Sequence, residues 1–286
     1  MPEHPPKGEA FALADAFFAE CQVVARFIDE NVRAPVDAST GTKAHGIVFQ
    51  GQLLRAIVWL RSILKLNDPG DFQAITAGAR ALFEGAVDVT LLHFDPATHN
   101  PDMMNAWEDS AKLKHAETVA RYLAETGRAG EEGEKAILTY ATREKARIEN
   151  LRVRWWPNYK SKHPDRWTGR DLGRDSKIAD DFQAAGFEEF YRLRYPQICW
   201  TVHGSGVGGI ANVSPEDFPF IGGRAYREGA RFAKVIAEVV CLHFGCWNKD
   251  AFAVLAEAMK AASGIVYVAG SAQASAAPPP GSLKSP

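Results

Sequence analysis

The sequence predicts an all-α protein, a multi-helix bundle forming one domain over residues 1–264, with two long loops and a disordered C-terminal tail. Three observations carry that prediction. Apolar residues recur at three- and four-residue steps through most of the chain, strong turn signals punctuate them, and no segment alternates apolar and polar residues for long enough to build a sheet. The composition, 46% hydrophobic and 24% charged over 286 residues, is that of a globular chain with a sizeable core.

The elements follow in order. Phe11, Phe17, Phe18, Cys21, Val24, Phe27 and Ile28 share one face of a helix over 9–32, which Pro35 and Gly41 are expected to end. A second helix over 43–66 is apolar around most of its circumference through Ile47, Leu53, Leu54, Ile57, Val58, Trp59, Leu60 and Leu64, which predicts a place near the bundle centre. Asn67-Asp68-Pro69-Gly70 is a turn signal, after which Asp71 is expected to cap a helix to residue 94. The short connection predicts that these two helices are antiparallel neighbours.

Asn100-Pro101 reads as an N-cap followed by proline at the first helical position, opening a charged helix that ends near Gly127. The helix over 131–154 carries only a thin apolar stripe, Leu138, Ile148 and Leu151, and belongs on the periphery. Residues 156–173 read as a long loop, followed by helices over 176–185 and 187–202, the latter bent near Pro196. A second loop is expected over 204–223, then a helical pair over 224–244 and 250–262. Beyond Gly264 the chain is Ala, Ser, Gly and Pro rich and buries too little apolar surface to offset its ordering entropy. Ile265-Val266-Tyr267-Val268 is its single strand-like run.

Charge narrows the function classes. Lys and Arg number 33 against 35 Asp and Glu, so the whole-molecule field is weak and unselective attraction to nucleic acid or acidic membrane is disfavoured. Cys21, Cys199, Cys241 and Cys246 fall in apolar helical patterns and read as reduced core residues. The opening residues carry no secretory pattern and no uninterrupted apolar run nears the length of a membrane span, so a cytoplasmic protein is expected.

Candidate chemistry lies in three places. Thr76, Arg80, Glu84 and Asp88 follow one another at four-residue steps along a helix otherwise rich in Ala, Val, Leu and Phe. Arg80 and Glu84 are spaced to pair directly, and in a central helix such a pair needs further polar partners. Tyr191, Arg194, Tyr195 and His203 lie on the helix leading into Gly204-Ser205, where the helix dipole favours a charged imidazole. The loop bearing Arg152, Arg154, Trp155, Trp156, Tyr159, Lys160, Lys162, His163, Arg166 and Trp167 mixes cations with rings, the combination that binds single strands; the same residues also suit packing of the loop onto the bundle.

Two formal motifs are set aside. Residues 204–209 match a three-glycine dinucleotide pattern, but a helix precedes them and Pro215 and Pro219 follow, so no cofactor is implied. Cys241, His243 and Cys246 point in different directions on a helix with no evident fourth ligand, so no metal is expected.

The Ala-Arg-Ala-Leu-Phe-Glu run ending in Glu84, Arg166-Trp167 after a basic loop, and a Tyr-rich helix running into His203-Gly204-Ser205 together resemble the bacterial helical family catalogued as domain of unknown function 5677. The resemblance covers residues 48–205. That family carries no established activity, and its helical layout is similar to that of the HEPN superfamily, whose ribonuclease members use an arginine and a histidine at a short fixed spacing. This chain departs from that spacing, because Arg194 and His203 stand too far apart in sequence and no close arginine-to-histidine motif occurs elsewhere, which weakens the ribonuclease implication, although a meeting of Arg80 and His203 in space is open.

Three functions follow as expectations. The favoured one is a helical binding or interaction protein, possible as a homodimer, with Arg80, Glu84 and His203 in an internal polar cluster and RNA or another protein as partner. The second is a metal-independent ribonuclease with His203 as acid or base, Arg80 on the phosphate, and the Trp155–Trp167 loop on the strand. The third is a small-ligand pocket within the bundle.

Overall fold

The computed structural model describes residues 7–42, 45–158, 164–203 and 214–263. Among these the chain is helical, with no strand. The expected C-terminal tail, with its strand-like run, and residues 204–213 lie outside the described residues.

Helix α1 (Lys7–Phe27) runs into a π-helical turn, Ile28–Val32, and then into α2 (Arg33–Ser39) and a 3-10 turn, Thr40–Thr42. Pro35 therefore does not end the helix. The chain restarts helically at Arg33, which puts the proline in a first turn where a missing N–H breaks no intrahelical bond.

Helix α3 (Gly46–Lys65) buries Phe49, Leu53, Ala56, Ile57, Leu60 and Ile63. Its other face carries Ile47, 78% exposed, and Val58, 63% exposed, so the prediction that it sits at the centre is corrected. By length and composition α3 is long and apolar enough to cross a membrane, yet one of its faces packs into the bundle core.

The centre belongs instead to α4 (Phe72–Phe94) and α10 (Phe218–Phe244), which pack along each other. Asp68, not Asp71, caps the 3-10 turn Pro69–Asp71 ahead of α4, accepting from the Gly70 N–H at 2.7 Å. Helix α10 begins six residues before the predicted start at 224, within the expected second loop. Pro219 occupies its first turn, and Ser214 caps the 3-10 turn that leads in. Small residues let this helix approach its neighbours closely. A Cβ on Gly223 would stand 3.0 Å from the Ala14 Cα of α1, and one on Gly222 would stand 2.6 Å from the Pro69 carbonyl oxygen.

Helices α5 (Pro101–Thr126) and α6 (Glu132–Trp155) form an antiparallel hairpin. Asn100 caps α5 as predicted, accepting from the Asp102 N–H at 2.8 Å, and Gly127 ends it at φ +64°. Only the base of the hairpin joins the main core, through Met103, Met104, Ala106 and Leu151. Farther out a separate small core of Leu113, Ala116, Ala141 and Ile148 holds the two helices together. At 26 residues α5 is about 39 Å long, so the hairpin is an arm of the body with its own core.

Three shorter helices follow: α7 (Leu172–Phe182), capped by Asp171, α8 (Phe187–Leu193) and α9 (Tyr195–His203). The predicted bend is the junction at Arg194, and Pro196 sits harmlessly in the first turn of α9. Helix α11 (Lys249–Ser263) closes the described chain against α1. Cys21 and Cys241 are buried, Cys199 and Cys246 half-buried, and all four are free thiols.

Candidate functional site

An aromatic cluster decides what meets the polar stripe of α4. Phe83 is fully buried and contacts Phe190 of α8 at 4.6 Å, Phe232 of α10 at 5.1 Å and Tyr195 of α9 at 5.5 Å between ring centroids. Seating α8 and α9 on α4 this way places Tyr195 over the next residue, Glu84. The Tyr195 hydroxyl donates to Glu84 Oε1 at 2.6 Å, and Arg80 Nε donates to the same oxygen at 2.8 Å. The Arg80 guanidinium also lies over the Tyr195 ring, 5.2 Å from its centroid. Tyr191 stacks on Tyr195 at 5.4 Å, and the missing side chain of Gly173 makes room for its ring against α7.

The side chains of Arg80 and Glu84 are 25% and 26% exposed, so the cluster sits at the edge of the core. Burial raises the Tyr195 phenol well above its ordinary range, and its hydrogen bond to Glu84 adds to the effect, so the hydroxyl stays protonated and donating. Burial works against the charge on Arg80, but Glu84 outweighs it and raises the guanidinium.

One turn further along α4, Asp88 anchors a second network. Its Oδ1 accepts from Arg166 at 2.6 Å and from the Trp167 indole N–H at 2.8 Å. Arg166 Nε donates to Asp175 Oδ2 at 3.0 Å, Thr168 Oγ1 to the same atom at 2.7 Å, and Arg170 Nε to Asp175 Oδ1 at 2.9 Å. Arg170 then reaches His99 Nε2, while His99 Nδ1 faces Asp95 Oδ2 at 3.0 Å. Burial raises the Asp88 carboxyl, with Arg166 and the Trp167 N–H pulling the other way. Arg166, between two carboxylates, is raised despite its own burial.

The predicted residues are thus distributed over several surroundings. Arg80, Glu84 and Tyr195 come together, with Tyr191 against them. Arg194 turns away, its Nε donating to Glu228 Oε1 of α10 at 2.8 Å. Arg166 and Trp167 were expected to face an anionic partner; both side chains are directed inward and fasten residues 164–171 to α4 and α7. Trp155 packs at the base of the arm with the Arg154 guanidinium 4.8 Å over its ring. His203 ends α9, and its side chain lies outside the described residues, as do Tyr159, Lys160, Lys162 and His163 of the loop. Among the described residues no group of His, Cys, Asp and Glu is arranged to hold a metal ion.

Sequence reasoning missed Asp175, Arg170 and His99. The one available signal was a four-residue rhythm, Arg166 to Arg170 and Asp171 to Asp175, which by itself resembles any solvated helix entrance.

A third polar region lies along α10. A cleft of about 1010 Å³ opens between α1, the α8–α9 junction, α10 and α11. Arg194, Arg224, Arg227 and Arg231 line it together with Phe17, Phe190 and Phe220.

No known family model, curated protein or solved structure matches this chain.

Proposed function

We propose that this protein is a helical binding protein, built to hold a ligand or partner rather than to transform it. The observation that supports this reading is that the polar groups on α4 are consumed as ties. Glu84 accepts from Arg80 and Tyr195, and Asp88 accepts from Arg166 and Trp167, so each carboxylate joins α4 to a chain segment distant in sequence. Carboxylates so engaged position helices and loops well. They are poorly placed to exchange protons with a substrate, which needs direct hydrogen-bond reach to the reacting group. The resemblance to domain of unknown function 5677, a cytoplasmic location, and RNA or another protein as partner belong to the same proposal.

Equilibrium dialysis against a metabolite and short-RNA mixture, read by mass spectrometry, tests this reading. Compounds retained by the protein should be recovered chemically unchanged. Conversion of a compound at a rate that Arg80→Ala or Tyr195→Phe abolishes, in variants that remain folded, overturns it.

A ribonuclease reading has one observation in its favour. Residues 195, 199 and 203 recur at four-residue steps on α9, which puts His203 on the same helical register as the Tyr195 that contacts Arg80. Cleavage of single-stranded RNA by the wild type, lost in both His203→Ala and Arg80→Ala, would favour it over binding. Equal cleavage by the variants, or none by the wild type, removes it.

A further inference from the structure

We infer that α3 is the contact helix of a homodimer, in which two copies of the chain pair their α3 helices antiparallel along the stripe Ile47, Gly51, Leu54 and Val58. This goes beyond the binding reading and is independent of it.

The first ground is an apolar face with no cover. Positions 47, 51, 54 and 58 of α3 follow at steps of four, three and four residues, the spacing of a coiled-coil seam. All four are exposed, Ile47 at 78%, Val58 at 63% and Leu54 at 44%. On the opposite side of the same helix Phe49, Ala56 and Ile63 are buried. The bundle therefore covers one apolar face of α3 and leaves the other bare, with only 33% of the helix's apolar stretch buried.

The second ground is Gly51. Glycine inside a helix is unfavourable relative to alanine, and it is tolerated where a neighbour comes too close for a side chain. Gly46 of the same helix meets that condition, since a Cβ there would stand 2.3 Å from the Thr40 carbonyl oxygen. A Cβ on Gly51 would have nothing within 4 Å. No contact among the described residues requires a glycine at 51, yet it leaves a notch in the middle of the bare stripe.

The third ground is that the stripe is complementary to itself, as a twofold contact demands. Antiparallel pairing about the midpoint between Gly51 and Leu54 sets Leu54 of each copy opposite the partner's Gly51, and Ile47 opposite the partner's Val58. The leucine fills the notch, and the outer pairs match apolar to apolar. A parallel pair would instead face glycine with glycine, leaving a gap, and would set Arg61, the next position of the seam, against its own copy. The stripe is one residue wide, with Gln50 on one side and the exposed Arg55 on the other. That width suits a second helix, whereas a lipid surface takes a broad apolar face.

The fourth ground is the charge beside the stripe. Residues 29–37 run antiparallel to α3, tied to it where Arg61 donates to Asp29 at 3.0 Å and Gln50 to Asp37 at 2.8 Å. Asp37 is exposed and has no cation partner among the described residues. In the antiparallel pair Gln50 stands opposite the partner's Arg55. Arg33 lies midway between Asp29 and Asp37, so the partner's Arg33 comes level with Asp37 on the same side of the contact. Opposite charges then meet along the rim of an apolar centre, the layout of a stable protein contact.

Sedimentation velocity of the full chain over about three decades of concentration tests the inference. A species of twice the chain mass should grow as concentration rises. Val58→Glu and Gly51→Leu should each weaken association by at least about tenfold. Gly51→Leu is diagnostic, because it makes the face more apolar and the helix more stable but fills the notch that the partner's Leu54 enters. Its dilute monomer should melt no lower than the wild type. Val254→Glu, at a 68% exposed position of α11, should leave association unchanged. A chain that stays monomeric at every concentration overturns the inference. So does a Gly51→Leu variant that associates as tightly as the wild type, the behaviour of an apolar face that accepts any apolar cover, or a loss in Val254→Glu equal to that in Val58→Glu.

Discussion

Replacing Asp175 by alanine should be among the most damaging single changes to this fold. The carboxylate is fully buried and accepts from Arg166, Thr168 and Arg170. Each of these hydrogen bonds ends on a charged carboxylate and contributes about 1.5–3 kcal/mol. These contributions do not simply add, because Arg166 keeps Asp88 and Arg170 keeps His99 when Asp175 is lost. Breaking a buried pair by removing one partner typically destabilises by about 3–5 kcal/mol, and we expect Asp175→Ala to fall there. For a protein of this size that lowers Tm by roughly 6–20 °C. Urea denaturation followed by tryptophan fluorescence measures it, with Arg61→Ala as the control. The Arg61 pair with Asp29 is half exposed, so its loss should change stability by less than about 1 kcal/mol. A double-mutant cycle between Asp88 and Arg166 should give a coupling of about 0.5–3 kcal/mol. A loss below about 1 kcal/mol for Asp175→Ala would show that the carboxylate is not the hub of the network and would refute the reasoning.

Tyr195→Phe removes the 2.6 Å bond to Glu84 without opening a cavity and should destabilise by about 1.5–3 kcal/mol in denaturant titration; no change would mean that α9 is held by its apolar contacts alone. Gly222→Ala places a methyl 2.6 Å from the Pro69 carbonyl oxygen, a backbone atom with little freedom to retreat, and should destabilise by about 1–3 kcal/mol in the same assay. Burial and then Arg170 hold His99 below its ordinary value of 6.5, so below that pH the unfolded chain binds more protons than the folded one. Stability from this group should therefore fall as pH drops from 6.5 towards the lowered folded value, and His99→Gln should flatten that dependence; an identical pH profile in the variant excludes His99 as the cause.

Local signals were read well where the physics is local. The Asn100 cap, the Gly127 terminus and the break near Pro196 all follow from dihedral preferences within a few residues. So does the Arg80–Glu84 pair, which needs only a helix to bring its partners together. Readings that depended on neighbours fared worse. Helix α3 has the composition of a central helix but lies at the edge, because α4 and α10 present small residues that permit closer packing. Gly85 of α4 and Gly229 of α10 are examples, since a Cβ on the first would stand 3.5 Å from Ile236 Cδ1 of α10 and one on the second 3.6 Å from Leu82 Cδ1 of α4. The start of α10 was masked by Gly222 and Gly223, which read as loop residues in sequence and serve in the structure as points of close helix contact.

By itself the sequence determined the helical class, most helix termini and the four-residue stripe on α4, since periodicity and capping act over one or two turns. Tertiary structure alone decided that Glu84 meets Tyr195 from 111 residues away, that Asp88 meets Arg166 from 78, and that Arg194 joins the arginines of α10 at one cleft. The first and last of those meetings follow the burial of Phe83, Phe190 and Phe232 against one another, and the second accompanies the burial of Trp167 in the same core. Burial of apolar surface is non-directional, so it brings distant segments together without leaving a short-range mark in the chain.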